Sequence, residues 1–196
     1  DLDWPTSNHG IVVDHMDNVW IGGNGAGDSH VLKFSRTGDF LMQVGESGHG
    51  VDSNARNHFS RVAKVTFDGP ANEMYLADGY DNTRVIKYDM DGNILGQWGE
   101  TGESGGETRP GYMYNVHGIA VDPATSRVFV NDRGNRRIHV FDENGEYLYE
   151  WSVGDRPANV HMFIITTDGH LWAADRGTHK ILKYDLEGNF LYSWGA

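Results

Sequence analysis

Three histidines occupy the same place in three repeats of this sequence, and imidazoles placed in this way can bind a metal ion. His9, His117 and His161 each stand at the start of a short run of apolar residues. If these runs lie side by side, the three side chains converge although they are far apart along the chain. Imidazole is a common ligand of zinc and related divalent ions. Three such ligands leave one coordination position open for water or substrate. The spacing therefore predicts a metal site, although polar residues that merely cap each strand would give the same pattern.

The remaining seven of the ten histidines do not share this place in the repeat. They fall on predicted turns, connectors or outer strands, so we expect them to be solvated rather than to bind metal. These residues are His15, His30, His49, His58, His139, His170 and His179.

The elements that must position the candidate ligands are four similar repeats. Each repeat contains four short runs of alternating apolar and polar residues, separated by Gly, Asn and Asp, which predicts a four-stranded antiparallel sheet. Radial repetition of such sheets makes a β-propeller, in which the innermost strands face a central channel. We therefore predict an all-β fold. The predicted domain is one propeller over 1–196, with approximate blades at 8–45, 60–99, 115–152 and 158–195.

Each repeat also carries signals for its outer hairpin and for its packing. Glycine closes the turn between the third and fourth strands, because a hairpin of this length needs a residue with positive φ. These glycines are Gly38, Gly92, Gly145 and Gly188. A tryptophan ends the fourth strand of three repeats and is expected to pack between neighbouring sheets. These tryptophans are Trp98, Trp151 and Trp194.

Three segments match functional motifs in outline, yet each is better interpreted as a loop. The Asp-x-Asp-Gly turns begin like a calcium-binding loop but lack the acidic residue at its twelfth position. Residues 102–106 match G-x-S-x-G, but no helix is predicted after them, as a nucleophile elbow requires. The glycine-rich residues 23–27 connect two strands and do not form a dinucleotide fingerprint.

The composition argues against several classes of protein. The chain has 28 Asp and Glu against 16 Lys and Arg, a net charge of −12, which argues against nucleic acid or an anionic membrane surface as the main partner. The sequence of 196 residues contains no cysteine, which excludes disulfides, thiolate zinc clusters and a cysteine nucleophile. No apolar run is long enough to span a bilayer. We therefore expect no nucleic-acid partner and no membrane span.

Two strings that flank Val116-His117 are more specific than the general repeat. They read ADGYDNTRV at 77–85 and NDRGNRRI at 131–138. Together with NHGIVVD at 8–14 and QWGE at 97–100, they resemble the NHL-repeat propellers and, more narrowly, the peptidyl-α-hydroxyglycine α-amidating lyase family. The likeness is close over about residues 8 to 152 and extends only to the general repeat over residues 153 to 196.

The resemblance implies a function and a set of site residues. The family cleaves a peptidyl-α-hydroxyglycine to a peptide amide and glyoxylate, on a six-bladed propeller whose central zinc is held by three histidines. By resemblance, His9 and His117 match two of the zinc ligands. Tyr80 matches the tyrosine held to be the catalytic base, and Arg133 matches an arginine that lines the active site. A cation beside a phenol favours its ionised form, and a guanidinium can hold a carboxylate by two hydrogen bonds.

The residues themselves also allow a purely structural interpretation of the same strings. Asp78 and Asp132 could order the loops between the second and third strands of their repeats. In that case Arg133 would pair with these carboxylates as part of the scaffold.

The third ligand departs from the pattern of the family, in which the ligating histidines come from alternate blades. His9 and His117 follow that pattern, but His161 comes from the blade directly after His117. The third histidine of the family would lie one blade beyond residue 196, beside a methionine and an acidic calcium ligand. We therefore expect a fragment of a six-bladed propeller, and the alternative is that His161 completes the site. The resemblance implies zinc as cofactor and calcium as a structural ion.

Two functions follow as expectations. The first is a zinc-dependent carbon–nitrogen lyase-like propeller that takes a small-molecule or peptide substrate in the central channel. The alternative is a non-catalytic NHL propeller that binds a protein or peptide partner. A calcium-dependent lactonase-like propeller fits less well, because it uses Glu, Asn and Asp where this sequence has histidine. The residues do not define a compartment, and the resemblance implies a periplasmic or secreted location.

Overall fold

A computed structural model of the chain contains four antiparallel sheets of four strands each. The structure describes residues 2–48, 50–55, 58–155 and 157–195. Within each sheet the strands lie in chain order, and the first strands of successive sheets lie side by side. This is the arrangement of a β-propeller, so the predicted all-β propeller fold is confirmed.

The four sheets are termed blades 1 to 4 in chain order, and the first strand of each is its inner strand. Blade 1 consists of β1 (Asn8–Val13), β2 (Val19–Gly23), β3 (His30–Phe34) and β4 (Phe40–Gly45). Blade 2 consists of β5 (Lys64–Asp68), β6 (Glu73–Asp78), β7 (Arg84–Asp89) and β8 (Ile94–Trp98). The strands β9 (Glu100–Thr101) and β10 (Tyr112–Met113) pair in parallel between blades 2 and 3. Blade 3 consists of β11 (Val116–Val121), β12 (Val128–Asp132), β13 (Arg137–Phe141) and β14 (Tyr147–Ser152). Blade 4 consists of β15 (Val160–Thr166), β16 (His170–Asp175), β17 (Lys180–Asp185) and β18 (Phe190–Trp194).

Helical structure in the described residues is limited to one turn of 3-10 helix at Arg133–Asn135. The G-x-S-x-G segment at 102–106 lies in the connector between β9 and β10, and no helix follows it directly. That placement agrees with its interpretation as a loop. No helix in the described part of the chain is both long enough and apolar enough to cross a membrane.

The outer hairpin of each blade turns at a glycine with positive φ, as predicted. The four glycines have φ between 86° and 91°. In blade 2 the carboxylate of Asp89 accepts the backbone N–H groups of Asp91 and Asn93, at 3.0 and 2.8 Å. The Asp-x-Asp-Gly turn therefore uses its first carboxylate to hold its own backbone, which supports a hairpin rather than a calcium loop.

Tryptophans at the ends of two fourth strands pack between blades, as predicted. The ring of Trp98 lies 6.1 Å from the ring of Tyr75 in its own blade and 5.9 Å from that of Phe141 in blade 3. The ring of Trp151 lies 4.9 Å from that of Tyr184 in blade 4. Trp194 does not fit the prediction: it is 74% exposed, because no described strand packs on that face of blade 4.

The apolar core lies between the blades rather than at one centre. One buried cluster joins blades 1 and 2 through Trp20 and Met74, and a second joins blades 2 and 3 through Tyr75 and Val128. A third joins blades 3 and 4 and includes Phe163. Burial of each large apolar side chain contributes about 1.5–3 kcal/mol. Each pair of neighbouring blades is therefore fixed by its own cluster, and this fixes the spacing of the inner strands.

Two histidines that were expected to be solvated are buried, so the prediction was wrong for them. His30 is 1% exposed, and its Nε2 lies 2.8 Å from the carbonyl oxygen of Asp3. His139 is fully buried on β13 beside the rings of Phe141 and Tyr147. Both residues lie on the third strand of a blade, β3 or β13. Each of these strands has a strand on each side and a neighbouring segment that covers one face of the sheet. Of the others, His15 and His179 are exposed, His58 and His170 are half-buried, and His49 lies outside the described residues.

Candidate metal centre

The structure brings together all three histidines that were proposed as metal ligands. One ring nitrogen from each of His9, His117 and His161 lies within 4.8 Å of the other two. They come from β1, β11 and β15, the inner strands of blades 1, 3 and 4. The rings of His117 and His161 lie 4.1 Å apart, and those of His9 and His117 lie 5.6 Å apart. His161 therefore reaches the cluster although its blade directly follows that of His117.

A β-bulge at the same place in three inner strands carries the three histidines. The pairing register of β1 shifts between Asn8 and Ile11, and that of β11 shifts between Val116 and Ile119. The register of β15 shifts between Val160 and Met162. A bulge adds one residue to a strand and changes the direction of its side chain. In contrast, β5 pairs with β6 without a shift, and blade 2 contributes no histidine.

The imidazoles are held in the neutral form that binds metal ions. His117 is fully buried, and its Nδ1 donates a hydrogen bond to the carbonyl oxygen of His161 at 2.8 Å. The proton is therefore on Nδ1, and the lone pair of Nε2 faces the cluster. Burial, with a smaller contribution from the Arg133 charge, lowers the pKa of His117 to about 3. Burial also lowers the pKa values of His9 and His161.

Tyr80 lies between two of the histidines. Its hydroxyl oxygen is 2.9 Å from Nε2 of His117 and 3.1 Å from Nε2 of His9. Because Nδ1 of His117 carries the proton, the Tyr80 hydroxyl donates to Nε2 of that ring. Tyr80 belongs to the loop between β6 and β7, which extends from blade 2 toward the cluster.

Arg133 lies at the other side of the cluster, at the end of β12. Its Nη1 is 3.0 Å from Nδ1 of His161, and its guanidinium carbon is 5.8 Å from the centre of the Tyr80 ring. Burial lowers the pKa of Arg133, whereas the interaction with Tyr80 acts in the opposite direction. The five residues proposed from the sequence thus form one contiguous group. It consists of one phenol, one guanidinium and three imidazoles.

The loops that present Tyr80 and Arg133 are ordered by equivalent aspartates. Asp78 accepts a hydrogen bond from Nε of Arg84 at 2.8 Å, and Asp132 accepts one from Nε of Arg137 at 3.0 Å. Further donors to these two carboxylates are the backbone N–H groups of Ser60 and Tyr114 and the side-chain amides of Asn82 and Asn135. The structural role suggested for the aspartates is therefore present. Within the described residues, however, the partner of Asp132 is Arg137, and Arg133 is directed to the histidines instead.

Close packing of Gly79 fixes the position of the Tyr80 loop. A Cβ atom at residue 79 would lie 1.6 Å from the carbonyl oxygen of Val116, the residue before His117. Only glycine allows this approach. The backbone next to Tyr80 therefore rests directly on the strand that carries His117.

Two cationic residues near the site were missed by the sequence analysis. The guanidinium carbon of Arg61 lies 5.5 Å from the centre of the Tyr80 ring, and Arg61 forms an ion pair with Asp81 at 3.2 Å. Lys64 lies on β5 and lines the central cavity. Ala63 occupies the histidine position of blade 2. Arg61 lies two residues before it, and Lys64 directly follows it. An alignment of the repeats would have placed them at the level of the metal site.

The donor set fits a zinc ion. Three neutral imidazoles are a ligand set found in zinc enzymes, and they leave a fourth position open. Structural calcium, which the resemblance implies, stays a prediction.

A cavity of about 430 Å³ lies along the inner strands, with His9 on its wall. Its lining is mainly apolar and comes from β1, β5, β11 and β15, together with Trp20 and Gly22 of β2. The cavity is the central channel that the propeller fold predicts. Its occupation by a substrate or peptide stays a prediction.

Comparison with known proteins agrees with this architecture. A family model described as a 6-bladed beta-propeller matches residues 115–194. NHL repeat-containing protein 3 of Homo sapiens is 34% identical over 172 residues, which are 82% of this chain and 47% of the relative. A probable peptidyl-α-hydroxyglycine α-amidating lyase of Caenorhabditis elegans is 26% identical over 167 residues, which are 84% of this chain and 44% of the relative. The chain spans less than half the length of the curated relatives it matches.

A solved structure supports the fold. The virginiamycin B lyase of Staphylococcus aureus superposes with a TM-score of 0.70 over 99% of this chain and 57% of its own, at 14% identity. A likeness at this identity concerns architecture alone. The sequence matches, the repeated blades and the motif strings agree with one another. The chain is therefore a β-propeller whose sequence is similar to NHL repeat-containing protein 3 and to the peptidyl-α-hydroxyglycine α-amidating lyases.

Proposed function

We propose that the chain belongs to a metal-dependent lyase that cleaves a peptidyl-α-hydroxyglycine to a peptide amide and glyoxylate. The observation that carries this proposal is the Tyr80 hydroxyl, 2.9 Å from His117 and 3.1 Å from His9, at the open side of three converging imidazoles. Similarity to a protein named as a probable amidating lyase supports the same reaction class.

The ligands and the base have separate roles in this proposal. His9, His117 and His161 would hold a zinc ion, which when bound polarises the substrate hydroxyl and favours loss of its proton. The Tyr80 hydroxyl donates to Nε2 of His117, so it must first lose its own proton to the solvent when that nitrogen is used as a ligand. The resulting phenolate oxygen is placed to accept the proton of the substrate hydroxyl. As the carbon–nitrogen bond breaks, the hydroxyl-bearing carbon becomes the aldehyde of glyoxylate, and the proton passes to the amide nitrogen. The atoms balance without water or an oxidant.

Arg133 would act on both the base and the substrate. Its guanidinium lies 5.8 Å from the centre of the Tyr80 ring, where its positive charge stabilises negative charge on the phenol oxygen. Its N–H groups can also donate to the carboxylate of the substrate. These contacts would orient the α-carbon relative to the histidines.

The proposal is tested by measuring glyoxylate release from α-hydroxyhippurate by the zinc-loaded full-length protein. We expect release by the wild type, and a loss of about 10²- to 10⁴-fold in kcat for Tyr80→Phe, which keeps the ring and removes the hydroxyl. Tyr192→Phe, on the exposed strand β18, is the matched control and should retain wild-type activity. No glyoxylate from the wild type would exclude the lyase, and full activity of Tyr80→Phe would exclude Tyr80 as the base.

The competing proposal is a non-catalytic NHL propeller. It is supported by the similarity to NHL repeat-containing protein 3, whose name gives the repeat and no reaction. A folded wild-type protein that binds zinc but releases no glyoxylate would favour this second function.

A further inference from the structure

Lys64 lines the central cavity, and its ammonium group donates to the backbone of Phe163 in blade 4. It is the first residue of β5, the inner strand of blade 2. The repeat-equivalent residues of blades 1 and 3 are Gly10 and Gly118, which directly follow a metal-ligand candidate. Blade 2 thus carries a long cationic side chain where its two neighbours carry none. This side chain reaches across the channel to Phe163 of blade 4.

Within the described residues, the half-buried Lys64 lacks the carboxylate partner that two buried cations, Arg84 and Lys87, have. Nζ of Lys87 lies 2.8 Å from Glu73, and Nε of Arg84 lies 2.8 Å from Asp78. In contrast, Lys64 forms no ion pair within the described residues, and its Nζ donates to the carbonyl oxygen of Phe163 at 2.6 Å. An ammonium group has three N–H donors, so one acceptor leaves its hydrogen-bonding capacity incomplete.

The surroundings of Lys64 make an uncompensated charge unfavourable. An ammonium group that is withdrawn from water needs a counter-charge or further acceptors. Burial lowers the pKa of Lys64 to about 8, so the amine is still mainly protonated at pH 7. An anion that reached Nζ would therefore gain a charge-assisted hydrogen bond in a poorly hydrated place.

The rest of the cavity suits a hydrocarbon. Its wall includes Ile11, Val65, Val121 and Ile165, and its volume is about 430 Å³. Lys64 is the one cationic residue among the described residues that line it. A ligand that matches both the apolar side chains and Lys64 has a short apolar body and a single anionic group.

We propose that the central cavity binds a small apolar monocarboxylate, whose carboxylate pairs with Lys64 and whose hydrocarbon body packs on the inner strands. Tyr80 and Arg133 do not line this cavity, whereas His9 does. The site therefore adjoins the candidate metal centre at His9, but the pairing of a carboxylate with Lys64 does not depend on the lyase reaction.

The test is isothermal titration calorimetry of the full-length protein with hexanoate and with hexanamide, its neutral analogue. We expect hexanoate to bind at least about tenfold more tightly than hexanamide, because only the carboxylate pairs with the ammonium group. In Lys64→Met, which keeps the length and removes the charge, the affinity for hexanoate should fall to that for hexanamide. Lys180→Met removes a lysine outside this cavity and should keep the wild-type affinity.

Three results would overturn the proposal. The first is absence of hexanoate binding, and the second is equal affinity of the wild type for hexanoate and hexanamide. The third is unchanged hexanoate affinity in folded Lys64→Met, since the carboxylate would then bind elsewhere, for example at the metal centre. The same comparison on zinc-free wild-type protein removes metal binding as a source of the preference, so the preference for hexanoate should persist there. Equal affinities for hexanoate and hexanamide in the zinc-free protein would overturn the proposal even if the Lys64→Met protein does not fold.

Discussion

At the scale of single residues, burial prepares the imidazoles of the candidate metal centre for ligation. His117 has no contact with solvent, and its Nδ1–H is fixed by the carbonyl oxygen of His161. A protonated imidazole cannot bind a metal ion, so a lowered pKa removes the competition by protons at neutral pH. The Tyr80 hydroxyl completes the group from the open side. The arrangement places the Tyr80 phenol within hydrogen-bonding distance of two candidate metal ligands.

His139 provides a prediction about stability because it is buried without belonging to the metal centre. Burial lowers its pKa to about 3, far below the usual value of about 6.5. Between these values the unfolded chain binds a proton that the folded chain does not. The contribution of His139 is therefore fully present above about pH 6.5 and is lost as the pH falls toward about 3. His139→Phe should lose less unfolding free energy than the wild type between about pH 7 and about pH 5, measured by urea denaturation.

A matched control for this prediction is His179→Phe, since His179 is exposed. It should show the same dependence of stability on pH as the wild type. Parallel curves for His139→Phe and the wild type would contradict the role assigned to burial.

At the scale of elements, equivalent loops of blades 2 and 3 present the catalytic candidates Tyr80 and Arg133. The loops after β6 and β12 are each held by an aspartate–arginine pair, Asp78 with Arg84 and Asp132 with Arg137. The repeated Asp-x-x-x-Asn-x-Arg spacing in the first loop and its counterpart in the second made this scaffold visible in the sequence. Only the resemblance placed Arg133 at the active site. The residues alone also allowed it to pair with Asp132, a carboxylate that Arg137 takes in the structure. Local propensity does not distinguish two arginines so close in the chain.

Gly79 allows a direct test of the loop that carries Tyr80. A Cβ at residue 79 would collide with the carbonyl oxygen of Val116, so Gly79→Ala must displace the loop or the strand. We expect the kcat for glyoxylate release to fall by about tenfold or more and the melting temperature to decrease, because Tyr80 moves relative to His117. Steady-state kinetics and thermal denaturation measure the two effects.

Gly96→Ala in β8 is the control for this substitution. An added Cβ at residue 96 meets no atom within 4 Å, so activity and melting temperature should stay close to the wild-type values. If Gly79→Ala behaves like Gly96→Ala, the close approach at Val116 does not position Tyr80.

Other elements differ in how far the sequence determines them. Alternation and turn glycines such as Gly92 define the strands and hairpins, because both are local properties of the chain. The β-bulge at His117 and the burial of His30 depend on which strand packs over which. Neither has a local signal, so the bulges went unpredicted and the solvation of His30 was predicted wrongly.

At the scale of the whole molecule, the blades are joined pairwise by apolar clusters, and the three histidines of the candidate metal centre come from blades 1, 3 and 4. The participation of His161 depends on the rotation of blade 4 relative to blade 3, which no single repeat encodes. The sequence therefore left its role open, whereas the structure places its ring 4.1 Å from that of His117. A metal ion at this point would link blades that are distant in sequence, so binding would stabilise the folded chain.

The most direct test of the account is the zinc content of the full-length protein, measured by plasma mass spectrometry after loading and dialysis. The account predicts about one zinc ion per chain in the wild type, and loss of that zinc in His117→Ala and His161→Ala, since each supplies one ligand. His179→Ala, at an exposed position, should retain it. No zinc in the wild type, or full zinc in both His117→Ala and His161→Ala, would contradict the central claim that these histidines form a metal centre.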